Sequence, residues 1–285
     1  LAVVQFWNRD SILAGLIAIV CFANASSLCG QELAQHQSKQ DWVSVSVKQT
    51  KVAPQEYYEL RIYRNQNADK QAMVSDYLED ALVPALKRME IDRIGVFKAM
   101  EGSSDFSMFV LIPFQSMEQF GNLNDTLEAD ETYQAAAKDY FDRPLKDPAF
   151  DRIESRFMKA FEGMPVIETS DLITEKQTRM FELRLYKSHT EDHARRKVAM
   201  FNDGEIDVMR DVKMGPVFYG STLVGSDCPN LIYMLSAANP EEHKVHWQAF
   251  LAHPKWDQMK KMEIYKDTVS GITNWMLSPT DFSDL

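Results

Sequence analysis

A chain of 285 residues, 45% hydrophobic and 26% charged, has material for two ordinary domains and a sizeable core. Its net charge of −11 comes without a clustered basic surface, the densest run being Arg195-Arg196-Lys197 within one predicted helical turn. Phosphate neutralisation needs such a surface, which excludes nucleic acid as a partner.

In chain order the first feature is an apolar run. After Arg9 and Asp10, Ser11–Ala23 reads SILAGLIAIVCFA, thirteen residues without a charge, and Ala23-Asn24-Ala25 follows with A-x-A cleavage spacing. That run is short for a membrane span, so residues 1–25 are expected to be an export signal and the chain to be periplasmic or extracellular. Residues 26–55 form a polar lead-in where only Trp42–Val47 (WVSVSV) alternates like a strand. No later stretch is apolar enough to cross a bilayer. Cys21 would leave with the signal, and whether Cys29 and Cys228 pair is left open by their spacing.

From Tyr57 the elements follow clearly. YYELRIY (Tyr57–Tyr63) alternates and is rich in strand formers. Apolar residues then recur at helical spacing from Ala68 to Glu90, with Pro84 expected to kink or split the helix. Gly95–Glu101 and Phe106–Phe114 flank Gly102-Ser103-Ser104-Asp105, a hairpin signal. Ser116-Met117-Glu118-Gln119 is a capping box that opens a helix to about Tyr140. Arg152–Phe161 closes with a strand, and Glu162–Thr178 reads as a linker.

The order then repeats. MFELRLY (Met180–Tyr186) matches the first heptad at an offset of 123, which holds through Gly102/Gly225 to Tyr133/Trp256. Glu191–Val212 is helical, Pro216–Val224 and Leu231–Ala237 form a hairpin, and Asn239-Pro240-Glu241-Glu242 is a helix start with an N-cap, proline at N1 and acids in the first turn. Gly271–Leu277 is the last strand. Each copy therefore reads β-α-β-β-α-β, the ferredoxin-like unit, at residues 56–161 and 179–285. Such a sheet carries helices on one face only, so the two bare faces are expected to cover each other. The expected fold is α+β, two tandem ferredoxin-like units closing an intrachain dimeric α/β-barrel.

Side chains alternate across a strand. Tyr58, Leu60 and Ile62 share one face; Glu59, Arg61 and Tyr63 share the other, as do Glu182, Arg184 and Tyr186 in the second copy. The apolar face is expected to pack on helices, and the Glu-Arg-Tyr face to line the space between the sheets. Four charges in a dry lumen are costly unless paired, so this face marks either an ion-pair network or a partly polar cavity. Tyr219 and Tyr233 on the middle strands of the second copy join the candidate lumen site.

With these motifs on the page the chain resembles the NIPSNAP family, across about Tyr57 to Pro279. The resemblance is carried by the paired ELR-x-Tyr strands and by LVPALKRMEIDRIGVF, FEGMPVI, MFNDGEIDVMRDVKMGPVFYG and HWQAFLAHPKWDQM. It is nearest to exported bacterial two-copy members. The resemblance implies the tandem barrel; it supplies no catalytic residue set, and the relatives of that fold include cofactor-free oxygenases and haem enzymes.

Other runs are read more plainly. His243, His246 and His253 sit on or beside one helix, but no HExxH or cysteine pair accompanies them, so no metal is assigned and they are read as surface or boundary residues. Trp247, Phe250, Leu251 and Trp256 read as helix-to-sheet packing. Thr190 caps a helix, with His189 and His193 beside it. Gly204 interrupts a helical run, as a close approach or a kink would require. Phosphate-loop, nucleophile-elbow and redox-dithiol signatures are missing, and no cofactor is implied.

Three functions fit this pattern. In the first, the barrel binds a small, partly apolar molecule between its sheets with Arg61 and Arg184 as polar anchors. The second is a cofactor-free oxygenase-like enzyme using the same lumen. The third is an interaction module that meets a protein partner or a second copy. The export expectation has its own test: chain secreted from a suitable host begins at Ser26 or within a few residues of it. Recovery of cytosolic chain beginning at Leu1 contradicts it.

Overall fold

The computed structural model describes residues 54–285. The expected signal segment, the Trp42–Val47 strand and Cys29 lie outside the described residues. Cys228 is exposed and has no disulfide partner among the described residues.

The first half runs β1 (Tyr57–Arg64), α1 (Ala68–Tyr77), α2 (Val83–Arg88), β2 (Gly95–Ala99), β3 (Met108–Phe114), then α3 (Met117–Gly121), α4 (Leu123–Ala129), α5 (Glu131–Ala136), α6 (Lys138–Phe141) and β4 (Arg152–Ala160). A short α7 (Asp171–Thr174) lies in the linker. The second half runs β5 (Met180–Lys187), α8 (Glu191–Met200), α9 (Ile206–Asp211), β6 (Pro216–Val224), β7 (Asn230–Ala237), α10 (Pro240–Ala252), α11 (Pro254–Met259) and β8 (Gly271–Pro279). All strand pairs are antiparallel, and the closed order is β1-β3-β2-β8-β5-β7-β6-β4. Each half contributes four consecutive strands of that ring. The seams between halves are β2 with β8 and β4 with β6. Closure removes the sheet edges that two separate ferredoxin-like units would expose.

Local chemistry sets the helix starts. Ser116, Thr190 and Asn239 have extended backbones, and each side-chain oxygen accepts from the backbone N–H three residues on. The long helix of each half contains one π-helical turn, at Leu78–Leu82 and Phe201–Glu205, again 123 residues apart. Pro84 follows the first turn, yet the second has no proline, so the π turn belongs to the repeated unit and not to Pro84 alone. Gly204 in the second turn has φ 146°, and a Cβ there would sit 2.3 Å from Lys255 Cε. The Lys255 side chain could swing aside, so it is the positive φ that calls for glycine.

The two strand faces lie opposite to the expectation. Tyr58, Leu60 and Ile62 are at most 1% exposed and point into the barrel, where they meet Leu183, Phe218 and Met234 of the other half. Tyr58 and Phe218 are 5.2 Å apart edge to face, and Phe97 and Phe181 4.9 Å. The lumen is thus a filled, apolar core shared by the halves. Tyr63 packs instead with Tyr77, Leu86 and Tyr133 under the first set of helices, and Tyr186, Tyr219 and Tyr233 pack with Phe201 and Phe250 under the second. The physical reason is supply of partners. Inside the barrel only other strands' side chains are available, whereas the helical layer brings donors and acceptors that can satisfy Glu and Arg. The Glu-Arg-Tyr face therefore lies between sheet and helices.

A shared interior makes each half dependent on the other. A chain ending at Thr169 bares the apolar face of four strands and is expected to self-associate or aggregate, as seen by analytical ultracentrifugation. A soluble monomer with a cooperative thermal transition contradicts this packing.

Candidate functional site

The second half shows what its Glu-Arg-Tyr face is built to do. Glu182 is 2% exposed on β5, and four groups from three elements converge on its carboxylate. Oε1 accepts from Arg184 Nη1 at 2.5 Å and from Asn274 Nδ2 at 3.2 Å. Oε2 accepts from Trp247 Nε1 at 2.8 Å and lies 2.8 Å from His243 Nε2, which donates when it carries the proton. Burial opposes the charge on Glu182, but His243, Arg184 and Trp247 together outweigh it and pull its pKa down to about 2. His243 is therefore a half-buried boundary residue, as expected, and its ring ties α10 to the sheet. Leu251, grouped with the packing residues by sequence, is instead 57% exposed.

Every nitrogen of Arg184 donates. Its Nε and Nη2 donate to Tyr186 Oη at 3.3 and 3.1 Å, and its guanidinium lies 4.5 Å from the Trp247 ring centre and 5.3 Å from that of Tyr186. Tyr186 and Tyr233 share a hydroxyl hydrogen bond of 2.9 Å, and Tyr219 stacks on Tyr233 and donates to Met209 Sδ at 3.0 Å. The candidate residues Glu182, Arg184, Tyr186, Tyr219 and Tyr233 do come together, in a saturated network under the helices. Beside it, Lys197 and Glu205 form a buried ion pair at 2.6 Å, in the places held by Val74 and Leu82 in the first half.

The first half uses the same frame differently. Glu59, 3% exposed, takes both Arg61 Nε (3.0 Å) and Nη2 (2.8 Å), and Ser155 Oγ donates to it at 2.7 Å. Ser155 faces Arg61 across β1 and β4 as Asn274 faces Arg184 across β5 and β8, so the third donor is set by register. Arg61 Nη1 makes no hydrogen bond of normal length among the described residues, and the Tyr63 hydroxyl lies close enough to the guanidinium to interact with it. Burial opposes its charge, but Tyr63 and Glu59 beside it raise its pKa overall, so the guanidinium stays charged. Burial also raises the Tyr63 pKa against the pull of Arg61, which keeps that phenol protonated and makes it a donor.

Arg61 and Tyr63 line a cavity of about 440 Å³ between the sheet and the helices. Its walls are aromatic and pinned to one another. Tyr77 and Tyr133 share a hydroxyl hydrogen bond of 2.8 Å, Tyr140 stacks on Tyr77 at 3.8 Å, and Phe150 stacks on Tyr140 at 5.8 Å. Asn124, Glu128 and Arg143 stand around it. The volume is in the range of small-molecule sites, and an apolar wall with a few placed polar groups is their usual make-up.

Shifting α10 and α11 back by 123 residues lays them on Met117–Ala129 and Glu131–Ala136, the spans of α3 to α5. On that overlay His243 falls on Phe120, Trp247 on Asn124 and Trp256 on Tyr133. Phe120 turns away to stack on Phe157 at 4.0 Å. Where the second half places an indole over its arginine, the first has a short, exposed amide and an open cavity. The sequence signal for this difference was the 123-residue offset itself; Tyr77, Tyr140 and Asn124 could have been singled out by aligning the helices as well as the strands.

The architecture is that of a dimeric α/β-barrel made by one chain. The NIPSNAP family model matches residues 58–163 and 181–284, and the chain belongs to that family. Among solved structures, a protein from Lactobacillus acidophilus NCFM provisionally called a monooxygenase superposes with a TM-score of 0.51 at 8% identity, covering 79% of this chain and 94% of that one. A NIPSNAP-like domain protein from Burkholderia xenovorans is 20% identical over 38% of this chain and 90% of its own, with a TM-score of 0.35. A NIPSNAP family protein from Agrobacterium tumefaciens C58 is 17% identical over 38% of this chain and 91% of its own, with a TM-score of 0.34. None of the curated proteins matches.

The Glu182 network predicts a pH dependence. Because the folded-state pKa lies below the ordinary 4.5, the carboxylate contributes stability above pH 4.5 that is lost as pH falls through about 2. In urea melts of the wild type and Glu182→Gln, the stability difference is expected to shrink by roughly 3 kcal/mol between pH 6 and pH 2. A difference that stays constant with pH contradicts the network.

Proposed function

We propose that the protein is a small-molecule binding module whose site is the cavity of the first half, between sheet and helices. The observation that carries this reading is the contrast between the two arginines. Arg184 is consumed by its own half, while Arg61 keeps Nη1 in reserve on the wall of a preformed cavity. A guanidinium offers donors only, and the protonated phenol beside it can donate as well, so the molecule they suit carries an acceptor, a carbonyl or a negatively charged oxygen, on an apolar body. The apolar run at Ser11–Ala23 supports an exported carrier or sensor.

Turnover fits less well. Tyr63 holds its proton at neutral pH and so serves as a donor, not as a base. The interaction reading leaves Arg61 and the cavity beside it unused.

The probe of choice is 8-anilinonaphthalene-1-sulfonate, an apolar anion that fluoresces in dry sites. The wild type is expected to bind it saturably at one per chain. Asn124→Trp, which places in the first half the ring that fills the second, is expected to weaken that binding by tenfold or more with little change in melting temperature. Unsaturable fluorescence, or saturable binding that Asn124→Trp leaves intact, contradicts the cavity as the site. Oxygen uptake by the wild type on adding an aromatic acid would move the reading from binding module to enzyme.

A further inference from the structure

The filled half contains a description of what the open half accepts. Arg184 is covered by the Trp247 indole at 4.5 Å, a flat bicyclic ring lying against a guanidinium. A guanidinium this close to an indole gains cation–π attraction, and its flat shape suits an aromatic face, which an aliphatic body in place of the ring cannot supply. The ring reaches its place from the position of α10 equivalent to Asn124, and it closes the space between Arg184 and the helices.

In the first half the carboxylate holds the guanidinium by two nitrogens, Nε and Nη2 on Glu59, where Glu182 takes only Nη1 of Arg184. Its plane is thereby fixed, and among the described residues no aromatic ring lies over it at the distances seen for Arg184. Asn124 is exposed and too short to cover Arg61, and the cavity occupies the neighbouring space. The remaining walls, Tyr77, Tyr140 and Phe150, are flat rings already stacked among themselves. A slot with a guanidinium on its wall and aromatic sides suits a flat guest.

We infer that the ligand of the first half is a fused-ring aromatic acid or carbonyl compound, of about the size of an indole or naphthalene, whose ring stacks on Arg61 and whose oxygen takes the Nη1 donor. Trp247 is then the built-in occupant of the equivalent site in the second half. This inference rests on the binding reading above and specifies the class of molecule for the same cavity.

Two carboxylates of matched size and charge separate stacking from simple anion binding: 2-naphthoate, which is flat, and decahydro-2-naphthoate, which is not. Displacement of the anilinonaphthalene sulfonate from the full chain measures both. The wild type is expected to prefer 2-naphthoate by about tenfold. Arg61→Lys keeps a cation beside Glu59 but loses the flat face, so both acids are expected to bind within about twofold of each other. Equal displacement by the two acids in the wild type overturns the stacking inference while leaving the binding reading standing. So does failure of both to displace a probe that binds saturably, and so does an undiminished preference in Arg61→Lys. If the probe itself fails to bind saturably, the binding reading falls and this inference with it.

Discussion

Everything on the helix-facing side of this barrel is arranged around a buried carboxylate on the first strand of each half. Glu59 and Glu182 are 3% and 2% exposed, and a carboxylate so deep is tolerable only when several donors reach it. The strand supplies one donor two residues on, the arginine, because side chains two apart share a face. The neighbouring strand supplies a second, Ser155 or Asn274, through antiparallel register. The helical layer completes the set only in the second half, with His243 and Trp247. The pair is thus an architectural device first. What surrounds it decides whether its arginine has anything left to offer.

The halves solved that problem in two ways on one frame. Both carry the π turn at the same place and the same strand order, and both place tyrosine two residues after the arginine. The second half is the more tightly tied: α10 is a continuous helix, Arg184 meets both the Trp247 ring and the Tyr186 hydroxyl, and a Lys197–Glu205 pair lies buried alongside. In the first half the corresponding helix divides at Asn122, and α6 with the segment before β4 adds Tyr140 and Phe150 as an extra wall. Duplication lets one copy fill the space under its helices while the other keeps a cavity there. A saturated network and an open site cannot share one arginine.

Much of the fold was legible in the sequence, because local signals and the repeat agreed. Alternation marked the strands, Ser116, Thr190 and Asn239 marked helix starts, and the offset of 123 marked two copies of one unit. Face polarity was not legible in the same way. Alternation separates Glu59 from Leu60 but does not say which of them looks into the barrel. A polar lumen was the expectation, yet eight strands leave an interior that apolar side chains fill completely. The grouping of Tyr219 and Tyr233 with Tyr186 held, since Tyr219 and Tyr233 are cross-strand partners, although a register shift near Pro216 shows how easily that parity could have changed. The pairing of the boundary residue His243 with Glu182, 61 positions away, was not legible. Distances of that kind are set by helix docking, which no short window of sequence contains.

The claim that one arginine is spent and the other held in reserve is open to direct observation by ¹⁵N NMR of the arginine side chains. Arg61 and Arg184 resonances are assigned from the Lys variants, and spectra are compared with and without saturating 8-anilinonaphthalene-1-sulfonate. The account predicts a large shift of the Arg61 guanidinium signals and none at Arg184. Movement of the Arg184 signals, or an unperturbed Arg61 in a chain that has bound the probe, would contradict it.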